Sequence, residues 1–232
     1  MNSFLSRCAV LLLSVAGLPS LANAEQAATS LRRPVAMALS SDQSHLHVAN
    51  RDSGTVSTID ADTLKLLGET TVGQQLADIT PVGPKHFLVA DNQEHELILL
   101  RGKSNELQIE DRLKLSPYPV CVAVSKNAAT AYVSSLWSRR ISVVKIDKEK
   151  SKKPSLRLIT TLDLPFAPNK LLLVENEKKL IVADNFAGRF GIVDCRTNQL
   201  DTVRTFFAEN IRGLGIDPRS KLLAVSHTML NE

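Results

Sequence analysis

From Pro34 onward the chain repeats one phrase at intervals of 41 to 49 residues, and this period constrains the fold more than any other feature. The phrase is a short apolar stretch, a polar turn, and a strand ending in Val-Ala or Val-Ser before a polar residue. It appears as Val48-Ala49-Asn50, Val89-Ala90-Asp91, Val133-Ser134-Ser135, Val182-Ala183-Asp184 and Val225-Ser226-His227. The middle residues stand at 49, 90, 134, 183 and 226, so the gaps are 41, 44, 49 and 43. A repeat of this length is one supersecondary unit that buries its apolar faces only by stacking on its neighbours.

Each unit reads as four strands. In the first they are Ala36 to Leu39, Leu46 to Asn50, Thr55 to Asp60 and Leu64 to Val72. Ser40 to Ser44 turns the chain through side chains that bond their own backbone, and Gly54 supplies conformational freedom in the next loop. The second unit repeats this with Ala77 to Val82, Phe87 to Asp91, Glu96 to Leu100 and Leu107 to Leu115. The third has Val120 to Ser125, Ala131 to Ser135, Arg140 to Asp147 and Leu156 to Leu164. The fourth has Asn169 to Val174, Leu180 to Asp184, Phe190 to Asp194 and Gln199 to Phe206. A fifth supplies Gly213 to Ile216 and Leu222 to Ser226. No helical stretch long enough for a parallel crossover separates the strands, so neighbours pair antiparallel. The expectation is an all-β propeller of four-stranded blades, at about 34–73, 76–115, 118–164, 167–206 and an incomplete 211–232.

The residues also carry a family likeness. Pro34-x-x-Met37-Ala38-Leu39-Ser40, then Leu46-His47-Val48-Ala49-Asn50 and Val56-Ser57-Thr58-Ile59-Asp60, resemble the YVTN-type repeat of bacterial surface and periplasmic propellers. Pro119 to Ser125, Ala131-Tyr132-Val133 and Ile141 to Val144 match it again. Departures are the second unit, with Thr80-Pro81-Val82-Gly83-Pro84 in place of the Ser-x-Asp turn, and His47 where Tyr is usual. The resemblance covers about residues 34 to 230. Similar blades occur in lactonase-like propellers, in the heavy subunit of quinoprotein amine dehydrogenases and in propellers fused to cytochrome c. It implies the fold far more than an activity. Four and a half blades do not close a ring on the usual pattern, so the expectation is part of a longer, seven-bladed protein.

Residues 1–24 read as a Sec-type signal peptide: one positive charge, an apolar run from Cys8 to Leu18, and Ala22-Asn23-Ala24 before the expected cut. The run is too short to span a bilayer. The expected location is a bacterial periplasm or the exterior, with no membrane span after cleavage. Cys121 and Cys195 would then remain, at different radii of the propeller, and are expected to stay unpaired. No C-x-x-C or C-x-x-C-H occurs, so haem would enter only through a downstream domain. The formal charge is +4, with lysines concentrated at Lys145, Lys148, Lys150, Lys152 and Lys153. That run holds no aromatic residue and reads as a solvated loop, not a nucleic-acid surface. Aromatic residues make up only 4% of the chain, so no stacking platform is evident.

Propeller ligands approach the mouth where the loops after the second and fourth strands lie. The candidates for a ligand site are therefore Asn50, Arg51, Asp91, Asn92, Ser135, Trp137, Asp184, Asn185 and His227. In register they would form a polar ring that could hold a hard cation such as Ca²⁺. The competing reading is that Asn and Asp there cap strands and hold their own loops. Trp137, the only tryptophan, stands beside Arg139 and Arg140 and suits either a partner surface or a plug between blades. His45 and His47 share a strand face but have no third ligand near in sequence, and no metal or catalytic residue is assigned. The expected role is an exported binding or scaffold module for a partner protein or small ligand. The alternative is the propeller of a periplasmic enzyme, either a lactonase-like hydrolase or a redox protein working with a cytochrome c.

Overall fold

A computed structural model describes residues 31–103, 106–148, 153–217, 219 and 222–228. The signal segment, 1–24, and the middle of the lysine-rich loop, 149–152, lie outside the described residues. The first sheet comprises β1 (Pro34–Leu39), β2 (His45–Asn50), β3 (Thr55–Asp60) and β4 (Leu66–Thr71). The second has β5 (Leu76–Val82), β6 (His86–Asp91), β7 (Glu96–Lys103) and β8 (Glu106–Lys114). The third has β9 (Pro119–Val124), β10 (Thr130–Ser135), β11 (Arg140–Asp147) and β12 (Ser155–Asp163). The fourth has β13 (Pro168–Val174), β14 (Lys179–Asp184), β15 (Ala187–Asp194) and β16 (Gln199–Glu209). The fifth is the hairpin β17 (Ile211–Ile216) and β18 (Leu223–His227). Every pairing is antiparallel between chain neighbours, so each sheet is a meander.

The first strand of each blade touches the first strand of the next, β1 to β5, β5 to β9, β9 to β13 and β13 to β17. The inner strands thus ring a common axis, and the fourth strands lie outermost. The core is a set of layers between blades. Ala49 and Val56 of the first blade meet Phe87, Val89 and Ile98 of the second. Leu88, Ala90 and Leu99 meet Val133 and Val144 of the third, and Tyr132 and Val143 meet Leu180 and Val182 of the fourth. Leu97, Ile98, Leu99 and Leu100 are all fully buried, because β7 is covered by a blade on each side. Pro81 sits on β5, whose outer edge faces the axis and needs no ladder hydrogen bond from it.

A recurring irregularity was not visible in the strand pattern. Every inner strand carries a register shift one residue after its start, at Val35, Ala77, Val120, Asn169 and Arg212. The inner strands therefore begin one or two residues before the positions read from apolar alternation. Each bulge adds local twist and re-aims the rim residues of its blade.

Candidate functional site

The start of the inner strand, the end of the second, the start of the third and the end of the fourth all lie on one face of the propeller, as the strand pairings require. An equivalent backbone bond closes each blade top. The amides of Arg51, Asn92, Leu136, Asn185 and Thr228 donate to the carbonyls of Arg33, Gln75, Tyr118, Ala167 and Asn210, at 2.9, 3.0, 3.0, 2.8 and 3.3 Å. The last residue of the tight loop after the second strand is left-handed in three blades: Gly54 at φ 64°, His95 at 58° and Arg139 at 53°. Gly54 has no alternative, since a Cβ there would lie 2.0 Å from the Gly73 carbonyl oxygen.

Most of the polar strand ends serve these loops. Asp91 is fully buried and its carboxylate accepts four backbone amides, from Gln74, Gln75, Gln93 and Glu94, at 2.6, 3.3, 3.0 and 3.1 Å. Asp184, also fully buried, accepts the Phe186 amide at 3.2 Å and the Arg189 guanidinium at 2.6 Å. Asn50 donates to Thr55 and Ser57 within its own blade, and the Ser135 hydroxyl donates to the Ser116 carbonyl. Asn92 is fully buried, with neither side-chain polar atom partnered among the described residues. Asn185 is half-buried beneath its backbone bond to Ala167, and His227 ends β18 in the open. Asn50, Asp91, Ser135 and Asp184 thus spend their side chains on the loops and strands around their own blade tops.

The histidines do not converge either. His47 packs edge-on against Phe87, ring centroids 4.4 Å apart, and burial pushes its pKa down to about 4. His86 meets Glu110 at 3.0 Å on the opposite rim, and the His95 ring bonds the Asn92 carbonyl. Among the described residues no three His, Cys, Asp or Glu side chains gather as a metal site. Cys121 and Cys195 are both free. In the lysine-rich stretch, Lys145 pairs with Asp147 and Lys148 bonds the Val82 carbonyl of the preceding blade.

What the fold does bring together is a row of aromatic rings. Arg51 donates to the Tyr118 hydroxyl and to Gln75, each at 3.1 Å. The Tyr118 ring lies 6.1 Å from Trp137, and Trp137 lies 5.9 Å from Phe186, between centroids. Trp137 is 60% exposed and Phe186 48%, so Trp137 is a surface residue and not a plug. Behind them a cleft of about 360 Å³ opens between the third and fourth blades, floored by Phe166 and flanked by Arg139 and Arg189. The Arg189 guanidinium carbon stands 5.7 Å over the Phe166 ring, while Asp184 holds its charge. Neither Arg51 nor Arg139 meets a carboxylate among the described residues. The low aromatic content therefore misleads, because three of the few rings are gathered at one place. Tyr118, Phe186 and Arg139 were not among the candidates read from the sequence. The signal for Phe186 is its register: it stands two residues beyond its strand end, as Trp137 does.

No family model and no curated protein sequence matches the chain. Solved structures do. Kuenenia stuttgartiensis hydrazine synthase superposes with a TM-score of 0.72 at 20% identity, over 88% of this chain and 58% of that one. The periplasmic gluconolactonase of Pseudomonas aeruginosa gives 0.67 at 18%, over 84% and 63%. The Swd1 β-propeller domain of Myceliophteria thermophila gives 0.65 at 13%, over 84% and 62%. The fold is a β-propeller. The chain spans less than two thirds of the length of each of these structures.

Proposed function

We propose that this propeller is an exported binding module whose working surface is the aromatic row on its loop face. The observation that carries this is the line of half-buried Tyr118 with exposed Trp137 and Phe186, flanked by Arg51 and Arg139. Tryptophan, tyrosine and arginine are the residues that dominate binding energy at protein interfaces. The blade-top clasps hold these side chains on rigid loops, so little ordering entropy is lost on docking. The uncompensated guanidiniums favour a partner protein with an acidic contact surface.

The test is a column of the purified chain exposed to exported proteins of its source, run in parallel with Trp137→Ala. A protein retained by the wild type and lost by the variant supports the reading. Identical retained sets, or none in either, overturn it. Sequencing of the exported chain, expected to begin at Glu25, tests the signal cut.

A second reading, an exported hydrolase or redox-partner propeller, draws support from the gluconolactonase and the hydrazine synthase among the fold neighbours. Hydrolysis of gluconolactone above a heat-inactivated control supports the hydrolase.

A further inference from the structure

We infer that the cleft behind Trp137 and Phe186 is a binding site for a small ring compound carrying a carboxylate. It goes beyond the protein-docking reading, with which it shares Trp137, Phe186 and Arg139.

The first ground is shape. The cleft holds about 360 Å³, within the range of small-ligand pockets, and it lies between two blades that cannot slide without breaking the layer beneath. Its long walls are aromatic. Trp137 and Phe186, inclined at 31° with centroids 5.9 Å apart, touch each other and form one continuous aromatic wall of the cleft, against which a flat body can lie. Phe166, 1% exposed, closes the bottom. Pro165 and Leu136 add further apolar contact and no hydrogen-bonding side chain.

The second ground is charge. Two guanidiniums flank the cleft and no carboxylate lines it among the described residues. They differ in state. Arg189 is fixed by Asp184 at 2.6 Å and by its seat on Phe166, so it forms part of the wall. Arg139 is exposed, makes no side-chain hydrogen bond among the described residues, and springs from a left-handed turn residue at the rim. A planar guanidinium offers two parallel donors to a carboxylate, and beside an apolar wall that pairing gains strength. A neutral ring would use the walls alone. The site therefore selects an acid over its neutral counterpart, with the ring in the cleft against the Trp137 and Phe186 wall and the carboxylate at Arg139.

Aromatic acids and sugar acids share this chemistry, and two probes separate them. Trp137 is the only tryptophan, so chain labelled with 5-fluorotryptophan gives one fluorine resonance located in the cleft wall. It is titrated with benzoate and benzamide as one pair, and with glucuronate and glucose as the other. One acid is expected to shift the resonance saturably, about tenfold more tightly than its neutral partner. Arg139→Asn should weaken that acid by about tenfold and leave the neutral compound unchanged, since Asn tolerates the left-handed turn. Whichever acid saturates identifies the ligand class. The inference is overturned if neither acid saturates, if acid and neutral compound bind alike, or if Arg139→Asn leaves the acid's affinity unchanged. Such a failure would not touch the partner-docking reading, whose readout is protein retention by Trp137→Ala.

Discussion

Replacing Asp91 separates a structural clasp from a ligand-binding ring. Its Oδ1 accepts the amides of Gln75, Gln93 and Glu94, and its Oδ2 accepts that of Gln74. These amides come from two loops, one entering the second blade and one inside it, so one carboxylate ties both. The pocket is tight: a Cβ on Gly73 would stand 2.1 Å from Oδ2. Asp91→Asn keeps an oxygen for the three Oδ1 bonds but sets an NH₂ against the Gln74 amide. Losing one charge-assisted bond and leaving its donor unpaired costs about 2 kcal/mol. Asp91→Ala strands all four donors where water has little access. Since such losses are not additive, the expected cost is about 4 kcal/mol rather than four full bonds. Urea unfolding followed by far-ultraviolet circular dichroism and by Trp137 emission measures both. The expected order is wild type, then Asn, then Ala, with the Ala loss about twice the Asn loss. If both variants stay within about 0.5 kcal/mol of wild type, the carboxylate is not a clasp and is free for a ligand.

Three further outcomes follow from other parts of the fold. His47 is buried against Phe87, with its pKa lowered first by burial and then by neighbouring His45. The unfolded state takes up its proton near pH 6.5 and the folded state only near 4, so stability falls as pH drops through that window. The loss should approach about 3 kcal/mol, and His47→Phe should remove that part of the pH dependence in a urea series. Gly191→Ala should cost about 2 kcal/mol in thermal unfolding, since its Cβ would meet Phe166 at 2.9 Å and Leu200 at 3.1 Å in a packed layer. Under native conditions a thiol reagent should leave Cys121 unmodified, because burial holds its pKa up at about 12, and label the half-buried Cys195 first.

The architecture was legible because a repeat writes the same instruction several times. Glu96 to Leu100 reads as a strand, which the structure forms, and Ser40 to Ser44 reads as a turn held by its own side chains, as the bonds of Ser40 and Ser44 to Asp42 show. The inner-strand bulges were not legible. Val35 and Asn169 occupy equivalent places with unrelated side chains, because a bulge is a backbone property. The polar strand ends were seen, but an aspartate that caps a loop and one that faces a ligand look identical in one dimension. Only the amides around Asp91 reveal its direction. The aromatic row hid for a different reason. Tyr118, Trp137 and Phe186 come from three loops in two blades, and nothing local joins them.

Trp137 stands exposed in an aromatic row flanked by Arg51 and Arg139. Its fluorescence tests this without any partner, because no other tryptophan contributes. Iodide and caesium quench by collision and carry opposite charge, so their ratio reads the local potential. Solvent-exposed emission, quenched several-fold more by iodide than by caesium at low salt, is the predicted result, with the difference reduced in Arg139→Asn. Blue-shifted emission resistant to both ions, or caesium quenching at least as well as iodide, would contradict it.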